Sequence, residues 1–455
     1  MILSANMSAP QPVRNDDALR PWSLPERIGF RFAFCYMALV CIAMVDVLKL
    51  FFVIFAFHGE PNGIPGMLDP FWNRAVPWTA VHLMHLRAPK LMADGDTLYG
   101  YVLLACRILL AAGATLVWSW LDRRRTQYRV LLAWLRRAVS FLLACVLFTY
   151  GIDKVFPMQF GRLSLVRLSE RVGDLDLFNL LWTFMAGSTA YTIFSGATEI
   201  LAGLFLLIPR FETMGALLSI GVMTNVVVLN LTYDVPVKLF ASHLLLCALF
   251  LAACNWRRIV GVLLSYRAIG ACPSVPLSCH RWVNQAAATL QPAAGLVVLM
   301  LLSVTMFHNY EARQARSSPS PLFGIWVVDE FRLTGTVSGP LLTPKVASDL
   351  HVGPGEDRWQ QLIIDSAQES AVRLGNGLLD SITVNVDAAG KTATFTDPGD
   401  PAWRCDLRVE RPGEGLLNLD GRINGVAAAL RLHRTARDEL RLLISHSHWV
   451  LPGGD

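Results

Sequence analysis

Charge is scarce in this sequence. Asp, Glu, Lys and Arg make up 16% of its 455 residues, against roughly 25% in a soluble domain. Several catalytic and switching motifs are missing as well. There is no phosphate-cradling Gly-rich loop of Walker type, no His-Glu-x-x-His and no nucleophile elbow. No run of Arg at every third position suggests a voltage sensor, and no inverted copy of a helix pair suggests a transporter built from repeats. The nine cysteines fall mostly in apolar stretches, where they act as small hydrophobes, and they form no disulfide framework. Residues 1–25 are polar and Pro-rich with no apolar core, so the first apolar run reads as an uncleaved anchor.

What the sequence has is hydrocarbon. Hydrophobic residues reach 53% and mean hydropathy is +0.43. Runs at 28–57, 98–121, 130–151, 188–208, 213–232, 236–254 and 289–308 each approach the roughly 20 residues that span a bilayer. The expected architecture is therefore an α-helical membrane bundle of about seven transmembrane helices, followed by a small all-β antiparallel barrel or sandwich. A cytoplasmic tail covers 1–27, the helical domain 28–310, a linker 311–321 and the β domain 322–455. Eight short strand-like runs fill that last domain: 323–333, 359–365, 379–386, 392–396, 405–410, 416–419, 426–433 and 440–446. Turn signals such as Ala389-Gly390 and Asn424-Gly425 separate them.

Arg residues set the expected orientation. Arg123, Arg124, Arg125, Arg129, Arg136 and Arg137 crowd the second connection, and Arg257, Arg258, Arg267 and Arg281 the sixth. Both then face the cytoplasm, with the N-terminus inside and the C-terminal domain extracytoplasmic. These clusters flank membrane helices and form no soluble basic face, so nucleic acid is excluded as a partner; the bilayer is one, and an extracytoplasmic protein could bind 322–455. Two long connections face outward. One carries Trp78, His82 and His85 at i, i+4, i+7. The other, 153–187, carries two amphipathic stretches, 163–172 and 175–185, suited to the membrane interface.

An ionisable residue inside a membrane helix is a functional hypothesis by default. Asp46 and Arg107 each lie on the order of 15 Å from the outer surface and could pair across helices. Lys49 shares helix one with Asp46, and Glu199 is comparably deep in helix four. Lys154, Asn225, Asn230, Asp234, Lys238 and His243 lie nearer the outer face, several of them around the turn Tyr233-Asp234-Val235-Pro236, where Pro236 suits the first turn of the next helix. No comparable set is expected in the inner half. Glu199 has no cation near it in its own helix, so Lys154 or His243 is its expected partner. Two interpretations stay open: helix-to-helix pairing, or a polar ligand cavity in the outer half, roofed by the outward connections and with Trp78, His82 and His85 contributing. No metal is expected; His446 and His448 share a strand face but no Cys or carboxylate cluster joins them.

Two motifs add a resemblance. Tyr150-Gly151-Ile152-Asp153-Lys154 with Gln159-Phe160, and Glu199-Ile200-Leu201-Ala202-Gly203, are similar to the Gly-x-x-Lys and Glu/Gly signatures of the DoxX-like membrane proteins. The resemblance covers about 137–255, helices three to six; the flanking helices, the long connections and the β domain are additions. It implies a bacterial inner-membrane protein. Some members are linked to quinone-coupled thiosulfate oxidation, others to membrane complexes handling thiol and oxidative stress. The vitamin K carboxylase-like membrane proteins, which also pair a helical bundle with a β-rich region, are a distant comparison. This chain has no outward Cys pair for thiol exchange. The resemblance thus implies a redox-linked membrane protein with a quinone-type or other small ligand. The alternative is a non-catalytic anchor or assembly protein that presents the β domain to a partner.

Overall fold

The computed structural model describes residues 21–57, 66–91, 95–264, 275–316, 320–334, 358–400, 403–423, 425–435 and 440. His446, His448, Cys272 and the expected strand 440–446 beyond Leu440 lie outside them. The chain forms two compact units. One joins Met1–Gln159 with Ala190–Asn309; the other joins Phe160–Thr189 with Tyr310–Asp455.

The first unit is a helical bundle. Its helices are α1 (Leu24–Phe57), α2 (Asp69–Trp78, continued by a π turn at Thr79–Leu83), α3 (Leu98–Leu121) and α4 (Arg129–Val155). After the segment 160–189 come α7 (Thr189–Leu207), α8 (Glu212–Thr232), α9 (Lys238–Ala253), α10 (Trp256–Leu264) and α11 (Arg281–Arg316). α1, α3, α4, α7, α8 and α11 are long and apolar enough to cross a membrane, and the α9–α10 pair, bent by 73°, makes a seventh if it is one span. The chain is a multi-pass membrane protein. α1 starts where a capping box predicts, with the Ser23 N–H donating to Glu26 Oε2 at 2.6 Å and the Glu26 N–H to Ser23 Oγ at 3.4 Å. α4 is the central helix: Leu143, Ala144, Cys145, Val146, Leu147 and Phe148 are all fully buried. The turn after α8 puts Asp234 in the left-handed region, at φ 53°. α9 then begins at Lys238, two residues beyond Pro236.

The second unit is built on a closed antiparallel barrel: β1 (Gly324–Thr334), β2 (Trp359–Ile364), β3 (Ser370–Leu374), β4 (Leu379–Val386), β5 (Thr392–Thr396), β6 (Arg404–Glu410), β7 (Leu416–Ile423) and β8 (Val426–Arg434). Each strand pairs with the next and β8 pairs with β1. Closure leaves no edge strand exposed. Along β6 the alternation is complete: Cys405, Leu407 and Val409 point inward, Arg404, Asp406, Arg408 and Glu410 outward. β7 and β8 reverse over two residues, Ile423 pairing with Val426, and Gly425 supplies the positive φ of 85° that such a turn requires. Trp326, Trp359, Phe395, Leu362 and Leu430 fill the interior. Cys405 is buried among them, and burial pushes its thiol up, so it stays protonated and inert.

The connection 160–189 belongs with the barrel. Its helices are α5 (Leu165–Ser169) and α6 (Leu177–Gly187), capped by Ser164 and Asp176. The first is shorter than its apolar pattern suggested, because Glu170 and Arg171 are extended. α5 packs on β2 and β3. Arg162 donates to both oxygens of Asp365, at 3.3 and 2.7 Å, and Arg373 donates to the Ser169 carbonyl. Arg167 ties α5 to α6 through Asn179 at 2.9 Å.

Asp365 is fully buried while Arg162 is half exposed. Burial pushes the Asp365 carboxyl above its usual value, and Arg162 pulls it part of the way back. A raised folded value means that this group's contribution is present below the ordinary carboxylate range and lost as pH rises through the raised value. Asp365→Asn should therefore flatten the pH dependence of barrel unfolding in that acidic window. Arg162→Met should destabilise the barrel by about 1–2 kcal/mol at neutral pH, a figure discounted for the exposure of Arg162. Unfolding followed by Trp fluorescence against pH checks both.

Candidate functional site

Two glycines bring α4 and α7 together. A Cβ on Gly151 would come 2.8 Å from the Gly196 carbonyl oxygen and 2.7 Å from Ile200, and one on Gly196 would collide with the Gly151 carbonyl. Small residues of this kind let membrane helices approach closely. One turn further along each helix, Lys154 meets Glu199. The Lys154 ammonium donates to both carboxylate oxygens, at 2.8 and 2.9 Å, and both side chains are buried. The Tyr150 ring lies 5.8 Å from the same ammonium. Of the two expected partners of Glu199, the structure brings Lys154 to it. Both carboxylate oxygens accept from that ammonium, so the pair satisfies its own charge and serves to lock the two helices.

His243 has a different partner. Its Nδ1 lies 2.6 Å from the Leu239 carbonyl, which can only accept, so Nδ1 carries the proton. Nε2 is then the acceptor in neutral His243, and the Tyr36 hydroxyl donates to it at 2.8 Å. The two rings stack with centroids 6.1 Å apart. Arg107 completes the group from α3. It stands in electrostatic range of Tyr36, Tyr99, Asp46 and His243. α3 is held near α9 here, since a Cβ on Gly100 would lie 3.3 Å from Leu239 Cδ1. The Arg107 Nε is buried without a hydrogen-bond partner. A buried N–H left unpaired is costly, more so in hydrocarbon. Three helices thus assemble a hydroxyl, an imidazole and an unspent guanidinium donor on apolar walls.

The remaining residues of the expected cluster fall elsewhere. Asp46 pairs with Lys49 in its own helix at 2.9 Å and accepts from the Met67 N–H at 3.2 Å. Lys238 pairs with exposed Asp234 at 2.7 Å. Asn230 is buried with an unpaired Nδ2, whereas Asn225 is exposed on α8. His82 stacks on Trp78 with centroids 5.3 Å apart and bonds its carbonyl. His85 does not share their helix face: the helical turn ends at Leu83, and His85 is left-handed at φ 55°. Among the described residues no group of three or more side chains could hold a metal ion.

Sequence reasoning missed several groups. Tyr36 and Tyr99 read as ordinary core aromatics. Asp96 lies two residues before α3 and reads as a local turn residue, yet it caps α9, accepting from the Lys238 and Leu239 N–H groups at 2.5 and 2.9 Å. At the opposite end of the bundle, Arg31 is 2% exposed and donates to Tyr128, Ser119 and the Asp122 carbonyl. Nearby, Glu212 accepts from Arg136 at 2.7 Å and Ser140 at 2.9 Å. That end of the bundle therefore carries buried polar groups that the sequence offers no reason to expect. Arg near a helix end ordinarily snorkels outward, but these turn inward to partners that sequence spacing does not reveal.

Compared with known proteins, the chain is similar to the uncharacterized protein YwoB of Bacillus subtilis (strain 168). The two are 33% identical over 120 residues, 26% of this chain and 76% of that protein. No family model and no solved structure matches the chain.

The pairing of Lys154 with Glu199 has a distinctive signature in stability. Lys154→Met or Glu199→Leu alone strands a buried charge and should cost about 3–5 kcal/mol. The double replacement should recover most of that loss. A double-mutant cycle on thermal unfolding in mild detergent measures the coupling.

Proposed function

This chain belongs to the family of the uncharacterized YwoB, whose name carries no activity, and from that premise we propose its function from its own site. It is a bacterial inner-membrane protein of the DoxX-like kind that binds a small ligand with a hydrogen-bond-accepting headgroup, of quinone type, at Arg107, Tyr36 and His243. The observation that carries this reading is the buried Arg107 Nε, which has no acceptor. A headgroup carbonyl supplies that acceptor, and apolar helix walls suit a hydrocarbon tail. The redox link comes from the DoxX-like resemblance alone. Lys154 and Glu199, being mutually satisfied, hold the helices instead of the ligand.

The same reading puts the N-terminus in the cytoplasm and the barrel outside. Charge asymmetry supports it, and so does parity. Residues 160–189 and 310–455 share one compact unit, so an even number of crossings must separate them. α7, α8 and α11 give three, and the reading takes α9 as the fourth, with α10 turned 73° at its end.

A second reading has its own observation. The barrel interior is filled by Trp326, Trp359, Phe395 and their neighbours, so what that domain offers a partner is its outer surface. The protein would then be a non-catalytic anchor presenting the barrel to an extracytoplasmic protein.

The test is mass and absorbance analysis of the protein purified in mild detergent. A stoichiometric quinone-type molecule is expected, with occupancy falling roughly tenfold or more in Arg107→Met, the scale of one hydrogen bond to a charged group. A wild-type preparation free of bound small molecule defeats the ligand reading and favours the anchor.

A further inference from the structure

One end of the bundle carries exposed arginines stacked on exposed tryptophans. Hydrogen bonds bring parts of this end together from distant sequence. The seven residues 122–128 join α3 to α4. Glu212 at the start of α8 bonds Arg136 and Ser140 of α4. Asn255, at the corner between α9 and α10, donates to Thr213 Oγ1 at 3.0 Å. The end of α3, the start of α4, the start of α8 and all of α10 therefore lie at the same end.

Two aromatic–basic pairs stand on this end. Arg123 lies over the Trp120 ring at 5.9 Å, and Arg257 over the Trp256 ring at 5.7 Å. Trp120 is 65% exposed and Trp256 57%. Arg124 and Arg258 are exposed beside them. α10 turns 73° from the axis of α9, which directs it across the bundle end. Trp256, Ile259 and Val260 share one of its faces at i, i+3, i+4, and Arg257 and Arg258 take the other. Ile259 packs on the bundle core while Trp256 and Val260 have no such cover. Among the described residues the acids at this end are Glu26, Asp122 and Glu212. Asp122 accepts from Tyr128 and Glu212 pairs with Arg136.

We propose that this end is a docking surface for the headgroups of anionic phospholipids, with Arg123, Arg124, Arg257 and Arg258 binding phosphate and Trp120 and Trp256 set at headgroup depth. The chemistry is complementary at each level. Trp belongs at the membrane–water boundary. A guanidinium matches phosphate oxygens in a fork, and stacking on indole restricts its orientation. An amphipathic helix continuous with a membrane span has a bilayer surface beside it, and the basic face selects the leaflet with negative charge. α10 then acts as an in-plane foot that fixes the depth of α9, whose 16 residues are few for a span.

The test is titration of the full chain in detergent with phosphatidylglycerol and, separately, phosphatidylcholine, with bound lipid read by native mass spectrometry. Phosphatidylglycerol should bind at least about tenfold tighter, since each basic residue near a membrane surface contributes on the scale of a several-fold change. Replacing Arg123, Arg124, Arg257 and Arg258 by Gln should abolish the preference, and replacing them by Lys should keep part of it. Equal binding of the two lipids by the wild type overturns the proposal, as does an unchanged preference in the Gln variant. Salt provides an arm that needs no variant: if the wild-type preference does not weaken on going from low to about 0.5 M salt, charge does not carry it.

Discussion

Hydrocarbon gives helices no reason to cling to one another, because lipid tails are as apolar as the side chains they would replace. Register between membrane helices must come from close backbone packing and from polar groups that have nowhere else to go. The α4–α7 crossing uses both within one turn. Gly151 and Gly196 let the backbones close to contact, and that approach brings Lys154 onto Glu199. Neither charge has water to turn to, so sliding or rotating α7 on α4 would strand both. α4 is the most enclosed helix of the bundle, and α1 and α9 pack against it.

Against that background Arg107 stands out. It is held to no such bargain: Tyr36 and His243 beside it already bond each other, and its Nε faces no acceptor. The barrel follows the opposite physics. Its core is made by the hydrophobic effect in water, its strands leave no open edge, and its polar contacts are external fastenings. Arg162 with Asp365 and Arg373 with Ser169 attach a connection from between two membrane helices to the strands. Each unit keeps a buried donor without a partner, Arg107 Nε in the bundle and Trp359 Nε1 in the barrel.

The fold was largely legible because length and period are local properties. Membrane spans announce themselves by uninterrupted apolar runs, and β6 by strict alternation. β3 was missed because Ser370, Ala371, Val372 and Leu374 are buried with only Arg373 partly out, so the strand shows no period of two. The candidate site was less legible because partners depend on helix rotation, which the sequence carries weakly. Depth alone left Lys154 and His243 equivalent beside Glu199; only the glycine crossing separates them. Asn225 and Asn230 looked like one group, yet five residues turn a helix by roughly 140° from full turns, which sends one outward and one into the bundle. That much was readable. The reach of Asp96 to α9 was not, because it depends on two loops meeting, Gly95 passing against Pro236.

The distribution of polarity also bears on passage through the bundle. Buried polar groups occur in two places, around Arg107 and Glu199 near the middles of α3 and α7 and around Arg31 and Glu212 at one end. Between them α4 presents Leu143 to Phe148, packed with Leu206, Leu207, Leu244 and Leu251. Thr149 turns its hydroxyl back on the Cys145 carbonyl of its own helix. The Ser219 hydroxyl, buried without a partner, is a single polar atom and makes no chain. An ion or polar solute crossing this layer would shed its water with nothing offered in return, at a cost of several kcal/mol. Two separate polar clusters suit the ligand site and the lipid surface proposed above. Binding at Arg107 needs no path through, and a charged foot at the far end needs only the membrane surface. Both can be met without moving the Lys154–Glu199 lock, since α3 carries Arg107 and Trp120 and α9 leads from His243 to α10.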